Sequence, residues 1–219
     1  ACSKEQSPLK PGFGNEAYTG AYSTLKCQPG KNYQAKKESF ISWRATKIGR
    51  DGKETSLVGT NSIVGNLVLQ DNTWKTAAAT INFVSSSTNS EDVIRDTRIN
   101  SFVFDLPNSV PFKFQLSGIQ GNILDVKDDE SRNVIAVGTL FVGNQQTTIQ
   151  IPILIKDYLG LISITPADVF KLNVRSLSPV INGVNLIAQI QQLLSFVPGV
   201  EMKDEVLIDF SLDFTITCI

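Results

Sequence analysis

The chain ends in a segment, VLIDFSLDFTITCI at residues 206–219, in which apolar and polar residues alternate. Large apolar side chains occupy every second position from Val206 to Ile216, and the positions between them are mostly polar. A period of two is typical of a β-strand with one dry face and one wet face. The pattern therefore predicts a terminal strand and raises the question of what its dry face contacts.

Similar patterns recur along the chain and predict about nine or ten strands in total. The clearest are SFISWRATKI at 39–48, SIVGNLVL at 62–69, KTAAATINFVSSST at 75–88, PFKFQLSGI at 111–119, NVIAVGTLFV at 133–142, TTIQIPILIK at 147–156, LISIT at 161–165 and FKLNVRS at 170–176. Asp51-Gly52 marks a tight turn, and Pro152 places its segment at a sheet edge or a bulge. Strands of this number predict an all-β fold, a closed or nearly closed antiparallel barrel.

Two segments depart from the β pattern. TNSEDVIRDTRINSF at 88–102 has Thr88 with Glu91 three residues later, which is the spacing of a helix capping box. VNLIAQIQQLL at 184–194 has apolar residues at helical spacing and is followed by Pro198-Gly199, which predicts an amphipathic helix. We expect one or two short helices that cover the barrel wall or one of its mouths.

The amino-acid composition narrows the range of functions that the chain can have. The 219 residues are 42% hydrophobic and 19% charged, which suits one domain with a substantial core. The net charge of -1, without a basic stripe, argues against a nucleic-acid partner, and no apolar run reaches the roughly 18 residues of a membrane-spanning helix. The chain contains no histidine, which excludes Ser-His-Asp and Cys-His nucleophiles and histidine metal sites. We therefore expect a protein without enzymatic activity, metal or catalytic cofactor.

Residues 1–36 are rich in Gly, Pro, Lys and small polar residues, and we interpret them as an N-terminal linker or extension before a barrel domain at 37–219. The start of the chain resembles the mature end of a bacterial lipoprotein, in which Cys2 carries the lipid and gives peripheral membrane attachment; the alternative is an incidental cysteine. Export to the periplasm or cell exterior would place Cys27 and Cys218 in an oxidising compartment, as candidates for a disulfide. The sequence does not show whether they approach each other, and it leaves open a monomer or a dimer.

Several of the segments carry the motifs of a known family. They are SFISWRATKI, IVGNLVL, VPFKF, VGTLFVG, IQIPILI, DEVLIDFSLDFTI and above all AATINFVSSSTNSEDVIRDTRINSFVF, in which an Ala-x-Ile strand leads to an Arg-Asp helix and an aromatic-rich end. Over residues 37–219 the chain resembles the YceI-like family of bacterial lipid-binding proteins. It departs from the family in lacking histidines near Ser39 and Arg98, in a shorter turn after GTLFV, and in a longer, more helical segment at 179–205. The resemblance implies a lipocalin-shaped barrel that encloses a long isoprenoid chain.

The apolar face of the strands has two interpretations. From the pattern alone a solid core is favoured, because a barrel of about eight strands can be filled by its own side chains. The family resemblance instead implies a tunnel occupied by lipid, and the small residues of the segment at 75–88 are consistent with free space. The candidate ligand-binding residues are Ile41, Trp43, Ile63, Leu67, Leu69, Ala79, Ile81, Phe83, Phe102, Phe104, Phe112, Phe114, Leu140, Ile151, Ile153, Phe210, Leu212 and Phe214.

Arg95 and Arg175 are candidates for contacts with a ligand headgroup, because a guanidinium suits phosphate or a quinone oxygen. The structural alternatives are that Arg95 and Asp96 pin the helix to the sheet, and that Arg175 points into water or pairs with a carboxylate. The acidic residues of the segment 125–130 cluster in one polar turn, which favours a solvated loop over a catalytic carboxylate pair. Trp74 lies beside a turn and is expected to cap a barrel end.

These observations favour non-catalytic binding, carrying or sequestration of a long isoprenoid amphiphile in the barrel. A polyprenyl quinone such as ubiquinone and a polyprenyl phosphate are the candidate ligands. The alternative is an extracellular carbohydrate-recognition or cell-surface interaction module with a solid barrel core. An enzyme whose carboxylates come together only in the fold is a third and less favoured hypothesis.

Overall fold

A computed structural model describes residues 31–70, 73–104, 112–121, 130–142, 145–158, 160–176, 180–181, 184–197 and 199–217. This part of the chain contains twelve β-strands and two α-helices, together with short 3₁₀ and π-helical turns. In chain order the elements are β1 Lys31–Ala35, β2 Phe40–Ile48, β3 Glu54–Leu69, β4 Ala77–Phe83, α1 Val93–Ile99, β5 Lys113–Gln120, β6 Ser131–Val142, β7 Gln145–Tyr158, β8 Leu161–Pro166, β9 Phe170–Asn173, β10 Val180–Ile181, β11 Val184–Asn185, α2 Leu186–Ser195 and β12 Glu201–Thr217.

The main sheet closes on itself as a ring of eight positions. Strands β3 to β8 pair antiparallel in sequence order, and β8 and β9 both pair with β12. The short strands β1 and β2 share the position between β12 and β3. The predicted all-β antiparallel barrel is therefore confirmed.

One half of β7 lacks a second neighbour. Among the described residues, β7 pairs with β8 only from Ile153 to Tyr158, whereas it pairs with β6 from Gln145 to Lys156. Pro152 lies where the second partner ends, and its carbonyl accepts a hydrogen bond from the backbone N–H of Ala167 at 2.9 Å. Because proline has no N–H to donate, a strand tolerates it at such an edge.

One end of the barrel, which we call the closed end, is filled by side chains. Leu67, Ile155, Ile162 and Phe214 are at most 1% exposed and belong to one apolar cluster. Trp74, in a 3₁₀ turn before β4, is buried in the same cluster. The prediction that Trp74 caps a barrel end is confirmed.

Helices cover the opposite end, which we call the open end. α1 runs into a π-helical segment at Asn100–Phe104, and α2 contacts that segment and β12. Ile190 of α2 is buried against Val142 and Met202. The predicted helix at 184–194 and its position over a barrel mouth are confirmed.

The predicted start of α1 is wrong. The helix begins at Val93 and is capped by Asp92, whose carboxylate accepts the backbone N–H of Arg95 at 3.0 Å. This hydrogen bond lowers the pKa of Asp92 below its ordinary value, and the positive charge of Arg95 adds to the effect. Thr88 and Glu91 have the spacing of a capping box, but Glu91 adopts a φ of 66°, which lies outside the right-handed helical region.

Three strands begin earlier than the apolar pattern predicts. β1 starts at Lys31, on the extension side of the predicted boundary after residue 36. β3 begins at Glu54 and β12 at Glu201, where charged and small residues hide the alternation. The first residues of β3 and β12 therefore show no alternation from which a strand could be predicted.

Tyr33 is a titratable group that is buried in the closed end. It lies opposite Leu67 of β3 and Ile216 of β12. Burial raises the pKa of the Tyr33 phenol to about 12, and the negative charge of Asp157 adds to the shift.

This shift predicts a loss of stability at high pH. Between pH 10 and about 12 the unfolded state releases the Tyr33 proton and the folded state keeps it, so the free energy of unfolding falls as the pH rises. The loss contributed by Tyr33 is on the order of 2 kcal/mol at the upper end of this window. Denaturant titrations of Tyr33→Phe should show a smaller decline than the parent protein. Tyr158→Phe, at an exposed tyrosine, should retain it, and equal declines in both variants would contradict the assignment.

Candidate functional site

The strand registers place the predicted ligand-binding residues of the strands on one face, toward the barrel axis. Cross-strand partners share a face of a sheet, and Phe210 pairs with Ile41, Ile81 with Phe114, and Phe114 with Leu140. Phe83 of β4 pairs with Ile63 of β3 in the same way. The alternation read from the sequence therefore identified the inward face correctly.

Depth along the axis divides these residues into two groups. Leu67, Leu69, Ile153 and Phe214 lie in the closed end, where side chains fill the interior. Ile63 is also buried, at the level where the open end begins.

The inward-facing residues of the open end remain partly exposed. They include Ile41, Trp43, Phe83, Phe112, Phe114 and Leu140, whereas Ala79, Ile81, Ile151, Phe210 and Leu212 are partly exposed but also pack against the closed-end cluster. A side chain that points into a barrel and still has accessible surface must border space, because close-packed interiors leave little. The open end therefore encloses an apolar hollow.

Two glycines keep aromatic rings against the barrel wall. A Cβ at Gly59 would lie 2.1 Å from the Trp43 ring, and a Cβ at Gly138 would lie 2.3 Å from the Phe114 ring. Trp43 and Gly59 are direct cross-strand partners. Each ring thus lies over the backbone of the neighbouring strand.

A buried polar network fixes Trp43 and the helical cover. The Trp43 indole N–H donates to Asn61 Oδ1 at 3.0 Å, and Asn61 Nδ2 donates to Thr88 Oγ1 at 2.7 Å. Thr88 Oγ1 lies 2.6 Å from Asn100 Oδ1, at the start of the π-helical segment. Asn61 is 1% exposed, and burying such a group is tolerable only when it is hydrogen-bonded. Sequence reasoning missed Asn61 and Asn100, because nothing in the pattern shows that a polar residue points inward.

Aromatic rings form one side of the mouth. Phe104 contacts Phe83 with ring centroids 4.6 Å apart and meets Phe112 edge-on at 5.4 Å. Phe102, which was also predicted to line the tunnel, contacts Phe196 after α2 at 5.5 Å. Within the π-helical segment, Phe104 therefore faces the hollow, and Phe102 faces Phe196 in the helical cover.

The two headgroup candidates have protein partners. Arg95 donates through Nε to Ser90 Oγ at 2.8 Å and through its terminal nitrogen to the Ser90 carbonyl. Asp96 accepts from the backbone N–H of Ser90 at 2.9 Å, so both side chains hold the turn before α1. Arg175 is exposed and pairs with Asp204 at 2.8 Å. These contacts are those of the structural alternatives, and the headgroup roles stay predictions.

The remaining sequence candidates are limited by the described ranges. Cys2, Cys27 and Cys218 lie outside the described residues, as do the first three carboxylates of the acidic turn, Asp125, Asp128 and Asp129. Glu130 forms an ion pair with Arg132 at 2.5 Å. Within the described ranges, no group of His, Cys, Asp and Glu side chains is arranged to hold a metal, and no helix has the length and apolarity needed to cross a bilayer.

Comparison with known proteins places the fold. No family model matches the sequence, and no curated protein matches it. A polyisoprenoid binding domain from Saccharophagus degradans, implicated in plant cell wall breakdown, is similar in structure with a TM-score of 0.67 and 14% identity, covering 84% of this chain and 98% of that chain. Burkholderia cenocepacia BcnA is similar with a TM-score of 0.52 and 12% identity, covering 80% of this chain and 95% of that chain.

At these identities the likeness establishes the fold. The chain is a lipocalin-like antiparallel barrel with helices over one mouth, and it shares this architecture with both solved proteins. The resemblance to YceI-like proteins that the sequence predicts is confirmed at that level.

The position of the Trp43 ring generates a prediction. Gly59→Ala should push the indole away from the wall and into the hollow, since the added methyl overlaps only that ring among its three nearest atoms. Affinity for an uncharged apolar dye such as N-phenyl-1-naphthylamine should fall about tenfold, equivalent to about 1.4 kcal/mol. Gly118→Ala is the matched control, because a Cβ there meets nothing within 4 Å. Equal dye affinity in both variants would show that the hollow does not depend on the ring position.

Proposed function

We propose that this protein binds a long isoprenoid amphiphile in the apolar hollow of its open end, without a covalent or catalytic step. The observation that carries the proposal is the partial exposure of large apolar side chains that point into the barrel. Exposed apolar surface is costly in water, and an apolar ligand removes that cost.

The chemistry of the wall supports an apolar ligand segment. All the partly exposed inward residues named above are aliphatic or aromatic, so they offer no formal charge. A prenyl tail gains about 0.8 kcal/mol for each buried CH₂, so several isoprene units supply ample affinity without polar contacts. Specificity would then depend on the volume of the hollow and on groups at the mouth.

The structural neighbours support the same class of ligand. The Saccharophagus degradans protein with this fold is described as a polyisoprenoid binding domain. A polyprenyl quinone such as ubiquinone and a polyprenyl phosphate both fit the proposal, as a bound ligand and not as a catalytic cofactor. The competing hypothesis of a recognition module with a solid core is not favoured by an open end whose inward side chains remain accessible.

Direct extraction tests the proposal. The purified protein should release a prenyl lipid into organic solvent, and mass spectrometry should identify its headgroup and chain length. A clean extract combined with binding to insoluble polysaccharide would contradict the proposal and favour the recognition module. Hydrolysis of a glycoside panel, lost on removal of one carboxylate, would support an enzyme instead.

A pair of neighbouring alanines tests where the lipid lies. Ala79 points inward opposite Leu116, and Ala78 is exposed on the outer face of the same strand. Ala79→Phe should reduce lipid occupancy about fivefold or more, because overpacking the occupied hollow costs about 1–3 kcal/mol. Ala78→Phe makes the same chemical change outside and should leave occupancy unchanged. Equal occupancy in the two variants would contradict binding in the hollow.

Leu67→Trp is unsuitable as a tunnel test. Leu67 is 1% exposed in the closed end, so a larger ring there overpacks the core and destabilises the barrel. Ala79 also packs against the closed-end cluster but keeps accessible surface, so Ala79→Phe reports on occupancy when its thermal unfolding matches that of Ala78→Phe.

A further inference from the structure

The cover of the open end carries large apolar side chains that face solvent. Val93 and Ile94 of α1 are 81% and 65% exposed, and Phe196 and Val197, just after α2, are 49% and 54% exposed. Single exposed apolar residues are normal on a protein surface, but a cluster is typical of an interaction site.

The contacts between these residues make them one surface. The Arg98 guanidinium lies over the Phe196 ring, 4.7 Å from its centroid. Ile94 precedes Arg98 by four residues on α1 and therefore shares its helix face. We call the set Val93, Ile94, Arg98, Phe196 and Val197 the apical patch.

Guanidinium groups lie beside the apolar part of the apical patch. Arg98 covers Phe196. Arg50 lies against Gly199, two residues after Val197, where an added Cβ would be 2.2 Å from its Nε. Arginine suits phosphate because its planar fork donates two parallel hydrogen bonds.

The apical patch is continuous with the mouth of the hollow. Phe196 contacts Phe102 at 5.5 Å, and the neighbouring Phe104 contacts Phe83 at 4.6 Å, inside the barrel. The π-helical segment thus contacts the exposed tip through Phe102 and the inner wall through Phe104.

We propose that the apical patch docks this protein on a phospholipid bilayer, with Ile94, Phe196 and Val197 in the interface and the flanking arginines at the level of the phosphates. The inference rests on the proposed function, because a prenyl tail that passes directly between bilayer and hollow avoids exposing its length to water. Apolar tips with basic flanks are typical of proteins that lie in the membrane interface.

The charges near the apical patch indicate which force dominates its binding to a bilayer. Glu91 and Asp92 lie exposed at the start of α1, and Asp96 lies within the helix, so they offset Arg95 and Arg98. The surface therefore has no strong net positive charge. Insertion of the apolar side chains provides the binding energy, and the bound fraction depends weakly on salt.

Two valines of nearly equal exposure give a matched test. Val197 lies in the apical patch, and Val169, 52% exposed, lies in the turn between β8 and β9. Flotation with vesicles of equal parts phosphatidylcholine and phosphatidylglycerol should recover the parent protein and Val169→Asp. Val197→Asp should bind about tenfold more weakly, because its charge opposes insertion. Equal thermal unfolding of both variants shows that folding is intact.

The outcomes separate docking from cargo binding. If the extract contains a prenyl lipid but Val197→Asp and Val169→Asp bind vesicles equally, docking is overturned and the proposed function stands. If the extract is clean but only Val197→Asp loses vesicle binding, docking stands and the proposed function fails. Two further results would also overturn docking. One is vesicle binding that salt abolishes. The other is a parent protein that sediments as a dimer through the apical patch and that Val197→Asp converts to a monomer.

Discussion

Whether the interior of this barrel is filled depends on how far its side chains reach toward the axis. A ring of eight positions is just narrow enough to be filled by large residues. In the open end the rings of Trp43 and Phe114 lie over Gly59 and Gly138 of adjacent strands. The pairing of a large residue with a glycine thus keeps these two rings close to the barrel wall.

This arrangement separates stability from binding along the axis. Leu67, Ile155 and Phe214 pack the closed end densely, and Trp74 seals it, so hydrophobic stabilisation is concentrated there. The strands continue into the open end as a rigid wall held by backbone hydrogen bonds. The hollow can thus remain apolar and accessible without the barrel losing its core.

The sequence predicted the barrel and its inward face well, because alternation in β12 reports directly which side chains share a face. It did not predict depth along the barrel axis, since Leu67 and Phe114 have the same signal but lie in the filled and the open region. Early β3 was missed because its inward residues include Gly59 and Asn61, whose roles depend on Trp43 across the sheet. Such partners are defined by register, which no local pattern contains.

The two parts of the cover are attached to the barrel by different forces. The π-helical segment is tied to the wall through Thr88 and the buried Asn61, so displacing it would leave buried polar groups without hydrogen bonds. The described contacts of α2 with the barrel rim, through Ile190, Val142 and Met202, are apolar. Apolar contacts are not directional, so the attachment of α2 lacks the fixed geometry that hydrogen bonds give to the π-helical segment.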